Sequence, residues 1–128
     1  MKAQPVRTVL VCNLSDDRYG KMDLICRRLG LRLHRISEEE VTSPIAALLG
    51  FQSYPEPSDK PAPMDPFVQE LMVLFNMDNG TLNQFLNACH KQDVVIDYKA
   101  MVTPYNLGWT PAELCTELAL EHEAMQNQ

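Results

Sequence analysis

The chain has 128 residues, a length that suits one domain with a hydrophobic core. Its 45% hydrophobic content is ordinary for a globular protein, and no run of about 18 apolar residues exists that would span a membrane. The net charge of -6 argues against general nucleic-acid binding.

The first part of the chain reads as a strand, a helix and a second strand. Residues 7–12 form an almost unbroken apolar run, which is typical of a central strand that is buried on both faces. The inner face of the following helix consists of Tyr19, Met22, Ile25, Cys26 and Leu29. Gly30 is a natural stop for this helix. Residues 31–36 begin with apolar and polar alternation, so they predict an edge strand.

A short helix is predicted to close the first half of the chain. Thr42 or Ser43 is the expected N-cap, because a hydroxyl accepts a hydrogen bond from a free amide of the first turn. Pro44 is expected in the first turn, where its missing amide hydrogen costs nothing, and Gly50 is expected to end the helix.

Residues 51–66 contain five of the nine prolines of the chain. Proline lacks an amide donor and has a fixed φ angle, so neither a helix nor a sheet is expected in this segment. We predict a mobile or extended linker between two structured halves, and we expect proteases to cut there first.

The second half repeats the order of the first. Residues 70–75 are apolar and predict a central strand, and residues 94–102 are rich in strand formers and predict an edge strand. The helix between them has Leu82, Phe85, Leu86 and Cys89 on its inner face. Asn79 is the expected N-cap of that helix. The last helix opens with Thr110 and Glu113 at the spacing of a capping box.

The two halves share a pattern at an offset of 63 residues, since residues 9–14 return as residues 72–77. Two tandem βαβ units predict an α+β fold with a duplicated βαβ(α) repeat, arranged as a ferredoxin-like sandwich with extra helices. An α/β open parallel sheet is the alternative. We expect a single domain over residues 1–128, with repeats at 7–50 and 70–125.

A specific pattern runs from Lys99 to Thr110 and beyond. It comprises a strand that ends in Lys-Ala, then a Thr, an Asn and a Trp-Thr pair, followed by an acidic helix. In this order it resembles a bacterial family known as domain of unknown function 3783, over residues 70–123. The family has no established activity, so the resemblance implies bacterial kinship and assigns no chemistry.

The loop between Lys99 and Trp109 is the best candidate for a ligand site. Lys99, Thr103, Asn106 and Trp109 lie between a strand and a helix N-terminus, whose free amides attract anions. In the alternative interpretation, Thr103 and Asn106 hold the loop through bonds to its backbone. Trp109 is then a hydrophobic staple onto Leu114.

Asn13 and Asn76 are two further candidate ligand-binding residues. Each directly follows one of the predicted central strands, and ligand sites in α/β sheets often lie at strand ends. Asparagine is also a common turn residue, because its side chain bonds to nearby backbone groups. Turn formation is therefore the alternative interpretation of both residues.

No catalytic residue, metal ligand or cofactor is assigned from the sequence. Cys12, Cys26, Cys89 and Cys115 contain no CxxC pair, and core packing is their expected role. Acidic residues at 113, 117 and 121 form a row along the last helix. Such a row is usually a solvated face, with a divalent-metal site as the alternative. The sequence contains none of the common phosphate-loop, dinucleotide-binding, zinc-protease or serine-hydrolase motifs.

Charge is distributed unevenly between the two ends of the chain. Residues 1–35 hold eight basic and three acidic residues, whereas residues 36–128 hold three basic and fourteen acidic ones. The group of Arg27, Arg28, Arg32 and Arg35 is the place where an anion would be met. The alternative is a solvated face that complements the acidic half.

We expect a non-catalytic regulatory domain that binds a partner protein or a small molecule. The missing catalytic motifs and the apolar central strands, which two short helices would leave partly uncovered, favour this function. An enzyme that uses the Lys99–Trp109 loop with Asn13 or Asn76 is one alternative, and a metal binder on the acidic helix is another. The N-terminus lacks the apolar stretch of a signal peptide, so we expect a cytoplasmic protein with reduced cysteines. Nucleic acid and membrane are not expected partners, and a homodimer is kept open.

Overall fold

The structure is a computed structural model that describes residues 6–57 and 59–126. The strands are β1 (Thr8–Cys12), β2 (Arg32–Arg35), β3 (Leu71–Phe75) and β4 (Tyr98–Met101). The helices are α1 (Asp16–Leu29), α2 (Ile45–Leu48), α3 (Asn79–Lys91) and α4 (Pro111–Gln126), and a 3-10 turn covers Glu40–Thr42. The two strand–helix–strand units are therefore β1-α1-β2 and β3-α3-β4.

The four strands form one mixed sheet in the order β2-β1-β3-β4. β1 pairs with β2 in parallel, β3 pairs with β4 in parallel, and the central pair β1 and β3 is antiparallel. The predicted α+β class, with strands 1 and 3 in the centre and strands 2 and 4 at the edges, is confirmed. In this sheet the two strands of each βαβ unit are direct neighbours. In the split βαβ units of a ferredoxin-like fold, another strand lies between them.

Alternate residues of the two central strands face opposite helical layers, as the side-chain period of a strand requires. One core cluster contains Val9, Val11, Met72 and Leu74 together with the inner faces of α1 and α3. The other contains Leu10, Cys12, Leu71 and Val73 together with Ile45 of α2 and Leu114 of α4. Every residue of β1 is buried, so the helices cover both faces of this strand. The expectation of partly uncovered central strands is wrong, because the sheet is the middle of three layers.

The ends of α1 and α3 follow local capping rules. The Ser15 hydroxyl accepts a hydrogen bond from the amide of Arg18, and Gly30 ends α1 with a φ angle of 70°. α3 is capped by Asp78, whose Oδ1 lies 2.7 Å from the amide nitrogen of Thr81. The predicted N-cap at Asn79 is wrong by one residue, since the carboxylate of Asp78 accepts the hydrogen bond from the Thr81 amide.

The last helix begins with the predicted capping box. The amide of Glu113 donates to Thr110 Oγ1 at 3.2 Å, and the amide of Thr110 donates to Glu113 Oε1 at 2.9 Å. Two amides that lack partners inside the helix are thereby satisfied. The residues just before α4 are held in a fixed direction as a result.

The short helix α2 differs from its prediction. Pro44 has an extended ψ angle of 142° and precedes the helix, and the helix ends at Leu48 before Gly50. No hydroxyl caps it. Instead, the amides of Ile45 and Ala46 donate to the carbonyls of Trp109 and Leu107. The loop before α4, which is distant in sequence, thus takes the place of a local cap. The pattern of residues 42–50 could not predict this contact.

Residues 51–57 and 59–66 contain neither helix nor strand, and we call this segment the proline strap. In space, the strap lies alongside the loop before α4 and the first turn of that helix. The amide of Met64 donates to the carbonyl of Ala112 at 2.9 Å, and Pro57 lies against Gly108. Several residues of the strap are therefore held against the second half of the chain. Over the described ranges, no helix has the length and apolarity needed to cross a membrane.

Candidate functional site

The loop between β4 and α4 is held by its own polar side chains. Asn106 is buried; its Oδ1 accepts from the amide of Thr103 at 2.9 Å, and its Nδ2 donates to the carbonyl of Met101 at 3.1 Å. The Thr103 hydroxyl accepts in return from the amide of Asn106 at 3.2 Å. The polar atoms of both candidate residues are thus engaged with loop backbone, which gives the loop a fixed shape.

Trp109 is the anchor of this loop. Its side chain is only 2% exposed and belongs to the same core cluster as Leu114. Its indole Nε1 donates to the carbonyl of Asp59 in the proline strap at 3.0 Å. The ring therefore packs under the helix and also fastens the strap, so this position fits the staple interpretation.

Tyr105 lies on top of this anchor and is open to solvent. Its ring centroid is 4.9 Å from that of Trp109, with the two planes 66° apart, yet Tyr105 is 62% exposed. Beside it opens a cavity of about 430 Å³ between the proline strap and α4, which we call the Tyr105 groove. The groove is lined by Asp59, Lys60, Pro61, Ala62, Tyr105, Trp109, Thr116, Glu117 and Leu120.

The helical wall of the groove is acidic. Glu117 lines the cavity, and Glu113 and Glu121 stand one turn before and one turn after it. α4 contains no lysine or arginine. On the opposite wall, Lys60 and Asp59 carry charges of opposite sign. The charged residues in the lining therefore sum to a single negative charge, that of Glu117.

The groove is formed by two parts of the chain, of which one matches a known family model and the other does not. Residues 70–125 match the model of a family described as Domain of unknown function (DUF3783). The predicted resemblance over residues 70–123 is thus confirmed. The matched segment contains β3, α3, β4 and α4, and so it supplies Tyr105, Trp109 and the helical wall. The strap residues 59–62 lie outside the match. A search of curated proteins and a search of solved structures found no match to the chain.

Lys99 belongs to another surface of the matched segment. It lies on the edge strand β4 opposite Met72, whose side chain is in the core cluster on the α1 and α3 side. Its Nζ donates to the carbonyl of Ile96 at 3.3 Å, and it lines a cavity of about 130 Å³ next to His90. The structure therefore does not bring Lys99 together with Trp109.

Asn13 and Asn76 form turns at opposite ends of the sheet. Both have left-handed backbones, with φ angles of 64° and 61°, a conformation that asparagine tolerates better than most residues. The Asn13 side chain donates to the carbonyls of Phe67 and Gln69 at 3.2 and 2.8 Å. Because β1 and β3 are antiparallel, the residues that follow them are separated by the length of a strand. The two asparagines consequently do not share one site.

The four cysteines are buried, and burial raises the pKa of each thiol. The pKa is about 12 for Cys12 and Cys26, and about 11 for Cys89 and Cys115. A thiol with such a pKa is protonated at neutral pH and is a poor nucleophile. Within residues 6–57 and 59–126, no group of three metal-ligating side chains is found.

The basic cluster of the first half is partly neutralised. Arg27 pairs with Asp23 at 3.0 Å, and Arg35 pairs with Asp16 at 2.9 Å. Arg35 also lies over the ring of Tyr19, 4.7 Å from its centroid. These contacts support the interpretation of this surface as a solvated, charge-balanced face.

The Tyr105 groove was not found from the sequence. Leu120 and the strap residues 59–62 are remote from Tyr105 in the chain, and no local pattern links them. A usable signal was present in one residue, since Tyr105 is an aromatic side chain in a polar loop beside the only tryptophan.

Proposed function

We propose that this chain is a non-catalytic regulatory domain of a bacterial, cytoplasmic protein, and that it binds a segment of a partner protein in the Tyr105 groove. The observation that carries the proposal is the exposure of two large side chains in the lining of one cavity. Tyr105 is 62% exposed and Leu120 is 55% exposed. Adjacent exposed apolar side chains around a concave surface are typical of a binding site.

The residues beneath Tyr105 are held rigidly, and this supports the same function. Trp109 is fixed between the core and the strap, and the capping box of Thr110 and Glu113 fixes the chain beside it. A surface that is already ordered loses little conformational entropy when a partner binds. Tyr105 therefore stands on a support that does not have to rearrange.

The alternative of an enzyme has less support from the contacts of the candidate residues. The polar atoms of Asn106 and Thr103 are hydrogen-bonded to the backbone of the loop. Lys99 lies on the α1 and α3 side of the sheet, away from this loop. The buried cysteines are protonated at neutral pH. A chemical step would need groups that converge on one point, and these residues do not converge.

The alternative of a metal site on the acidic helix is also weakly supported. One carboxylate of the row, that of Glu113, accepts the amide of Thr110 in the capping box. Its Oε1 is already engaged at the start of the helix, and a cation that drew this oxygen away would cost the helix start a hydrogen bond. We therefore prefer the interpretation of this row as part of a protein-binding surface.

Internal duplication is part of the proposal, and paired turn residues support it. Asn13 and Asn76 both adopt left-handed backbones after a central strand. Ser15 and Asp78 both cap the helix that follows. Each pair is 63 residues apart, the offset at which the apolar pattern also repeats.

The proposal is tested by site-specific photo-crosslinking in cells that naturally produce the chain. A photoreactive phenylalanine analogue replaces Leu120 at the groove. In a matched control it replaces Leu24, which is 59% exposed on α1, on the other face of the sheet. We expect a discrete adduct from position 120 that is absent from position 24. The adduct should disappear when Tyr105→Ala is added.

The mass of the adduct identifies the class of partner. An adduct heavier than the chain by a different protein supports the proposal, and an adduct of twice the chain mass points to a homodimer instead. The same adducts from positions 120 and 24, or none from either, would refute binding at the groove.

A further inference from the structure

The charge and the aromatic surface of the groove together specify the chemistry of its occupant. We propose that the partner segment is basic and that it places a lysine or arginine side chain over the ring of Tyr105, against Glu117. This inference rests on the proposed function, because it names the kind of segment that the Tyr105 groove would take.

The first argument is the uncompensated charge of α4. Glu113, Glu117 and Glu121 follow one another at intervals of four residues, and like charges at this spacing destabilise a helix. Basic neighbours on the same helix usually offset such a row, but α4 has no lysine or arginine. Among the described residues, Glu117 and Glu121 take part in no ion pair. A basic partner would supply the missing positive charge.

The second argument is the geometry of the aromatic pair. Tyr105 and Trp109 meet edge to face with their centroids 4.9 Å apart, and Tyr105 keeps most of its surface open. The face of an aromatic ring attracts a cation, and a carboxylate close by strengthens the site. Glu117 lines the same cavity and supplies that carboxylate.

The third argument is the apolar surface beside these groups. Leu120 and Pro61 line the groove between its charged positions. Lysine and arginine have long aliphatic stems that cover apolar surface while the charged end stays near water. An acidic segment would meet two carboxylates, those of Asp59 and Glu117, against the single ammonium group of Lys60. The lining therefore favours a basic occupant over an acidic one.

The test uses three acetylated, amidated pentapeptides that differ at two positions. The sequences are Leu-Lys-Leu-Lys-Leu, the same peptide with glutamine for lysine, and the same peptide with glutamate for lysine. Binding to the whole chain is followed by calorimetry and by the emission of Trp109, the only tryptophan. We expect the lysine peptide to bind about tenfold more tightly than the glutamine peptide, as one cation–aromatic contact and one ion pair provide. The glutamate peptide should bind most weakly.

Two variants with the same change in net charge separate a local effect from a general one. Glu117→Gln removes the carboxylate of the groove, and Glu123→Gln removes one from another face of α4. We expect Glu117→Gln to abolish most of the preference for lysine over glutamine and Glu123→Gln to leave it unchanged. Tyr105→Leu keeps an apolar side chain but removes the ring, so it should also reduce this preference.

The outcomes distinguish this inference from the proposed function. Equal binding of the lysine and glutamine peptides would overturn the basic partner but leave the groove as a binding site. Equal effects of Glu117→Gln and Glu123→Gln would overturn the local contact. If no peptide binds while position 120 still crosslinks to a partner, the basic class alone is wrong. If no peptide binds and no crosslink forms, both proposals are wrong.

Discussion

Arg18 and Glu70 form a two-point ion pair that joins the start of α1 to the residue before β3. Nε of Arg18 lies 2.7 Å from Oε2 of Glu70, and Nη2 lies 2.8 Å from Oε1. The same guanidinium donates to the carbonyls of Val95 and Asp93 at 2.8 and 3.3 Å. One side chain thus ties the first βαβ unit to the start of the second and to the loop between α3 and β4. The hydrogen bond to Glu70 also raises the pKa of Arg18.

Replacement of this arginine should destabilise the fold. Arg18→Met keeps the stem and removes every bond, so we expect a loss of about 1–3 kcal/mol in the free energy of unfolding. Glu70→Gln should cost less, since Arg18 keeps its two carbonyl partners. Urea unfolding measures both values. Lys21→Met is the control, because its partner Asp17 lies 3.6 Å away on an exposed surface and exposed pairs contribute little. Equal losses for Arg18→Met and Lys21→Met would contradict this role.

The residue that corresponds to Arg18 at the offset of 63 residues is Thr81, and the counterpart of Glu70 is Arg7. These two are also in contact, since Nη1 of Arg7 donates to the Thr81 hydroxyl at 2.9 Å. Position is retained while the side chains differ. A comparison of residue identities between the halves cannot detect this correspondence, because the residues at both pairs of equivalent positions differ. Each contact also joins one half of the chain to the other.

Local signals predicted most of the fold. The apolar runs around residues 9–11 and 72–74 predicted the central strands, and the capping box predicted the start of α4. The order of the strands could not be predicted, because a split and an unsplit βαβ unit have the same apolar pattern. The cap of α2 was missed for a related reason, since its partners are the carbonyls of Trp109 and Leu107. The Tyr105 groove likewise depends on contacts between remote segments.

Trp109 should be one of the most important residues for stability. Trp109→Ala removes a buried aromatic side chain, for which we expect a loss of about 3–5 kcal/mol in the free energy of unfolding. Trp109→Phe keeps much of the packing but loses the hydrogen bond to the carbonyl of Asp59, so it should cost less. The native protein should show blue-shifted, poorly quenched emission. A near-neutral Trp109→Ala together with red-shifted emission would show that the ring is not part of the core.

The cysteines should react slowly while the chain is folded. Their pKa values of about 11 to 12 leave little thiolate at neutral pH, and burial blocks the reagent. We expect a colorimetric thiol reagent to label the folded protein much more slowly than the protein in urea, where all four cysteines should react. Rapid labelling of one cysteine in the folded state would assign that residue to a reactive surface.

Asp78 should contribute to loss of stability in acid. The amide of Thr81 donates to its carboxylate, and with Arg7 nearby this lowers the pKa of Asp78 below its usual value of 3.8. A depressed folded-state pKa gives stability that is present above the unfolded-state pKa and is lost as the pH falls through the folded value. Asp78→Asn keeps the cap but cannot ionise. The stability difference between wild type and Asp78→Asn should therefore be constant above about pH 5 and shrink below about pH 4.

Urea unfolding over this pH range measures the difference directly. Glu40 also has a lowered pKa, mainly through the amide of Ser37, so some acid dependence should remain in Asp78→Asn. Asp78→Ala, which loses both the cap and the charge, should be less stable than Asp78→Asn even at neutral pH. A difference between wild type and Asp78→Asn that stays constant down to about pH 3 would contradict the assignment.

Gly108 should control how closely the proline strap follows the loop before α4. A Cβ atom on Gly108 would lie 2.8 Å from Cδ of Pro57 and 3.2 Å from the carbonyl oxygen of Pro55. Neither a proline ring nor backbone moves easily, so Gly108→Ala should push the strap away from Trp109. We expect limited proteolysis to cut first within residues 51–66 in both proteins, and faster in Gly108→Ala. Mass spectrometry of the fragments locates the first cut.

Gly20→Ala is the matched control for the same change. A Cβ at Gly20 has nothing within 4 Å, and alanine suits a helix interior better than glycine by about 1 kcal/mol. This variant should resist proteolysis at least as well as the wild type. Gly108→Ala should also weaken binding of the lysine peptide, because residues 59–62 form one wall of the groove. If the strap is cut at the wild-type rate and the peptide still binds, then contact at Gly108 does not hold the strap. The hydrogen bonds from Trp109 to Asp59 and from Met64 to Ala112 would then hold it without that contact.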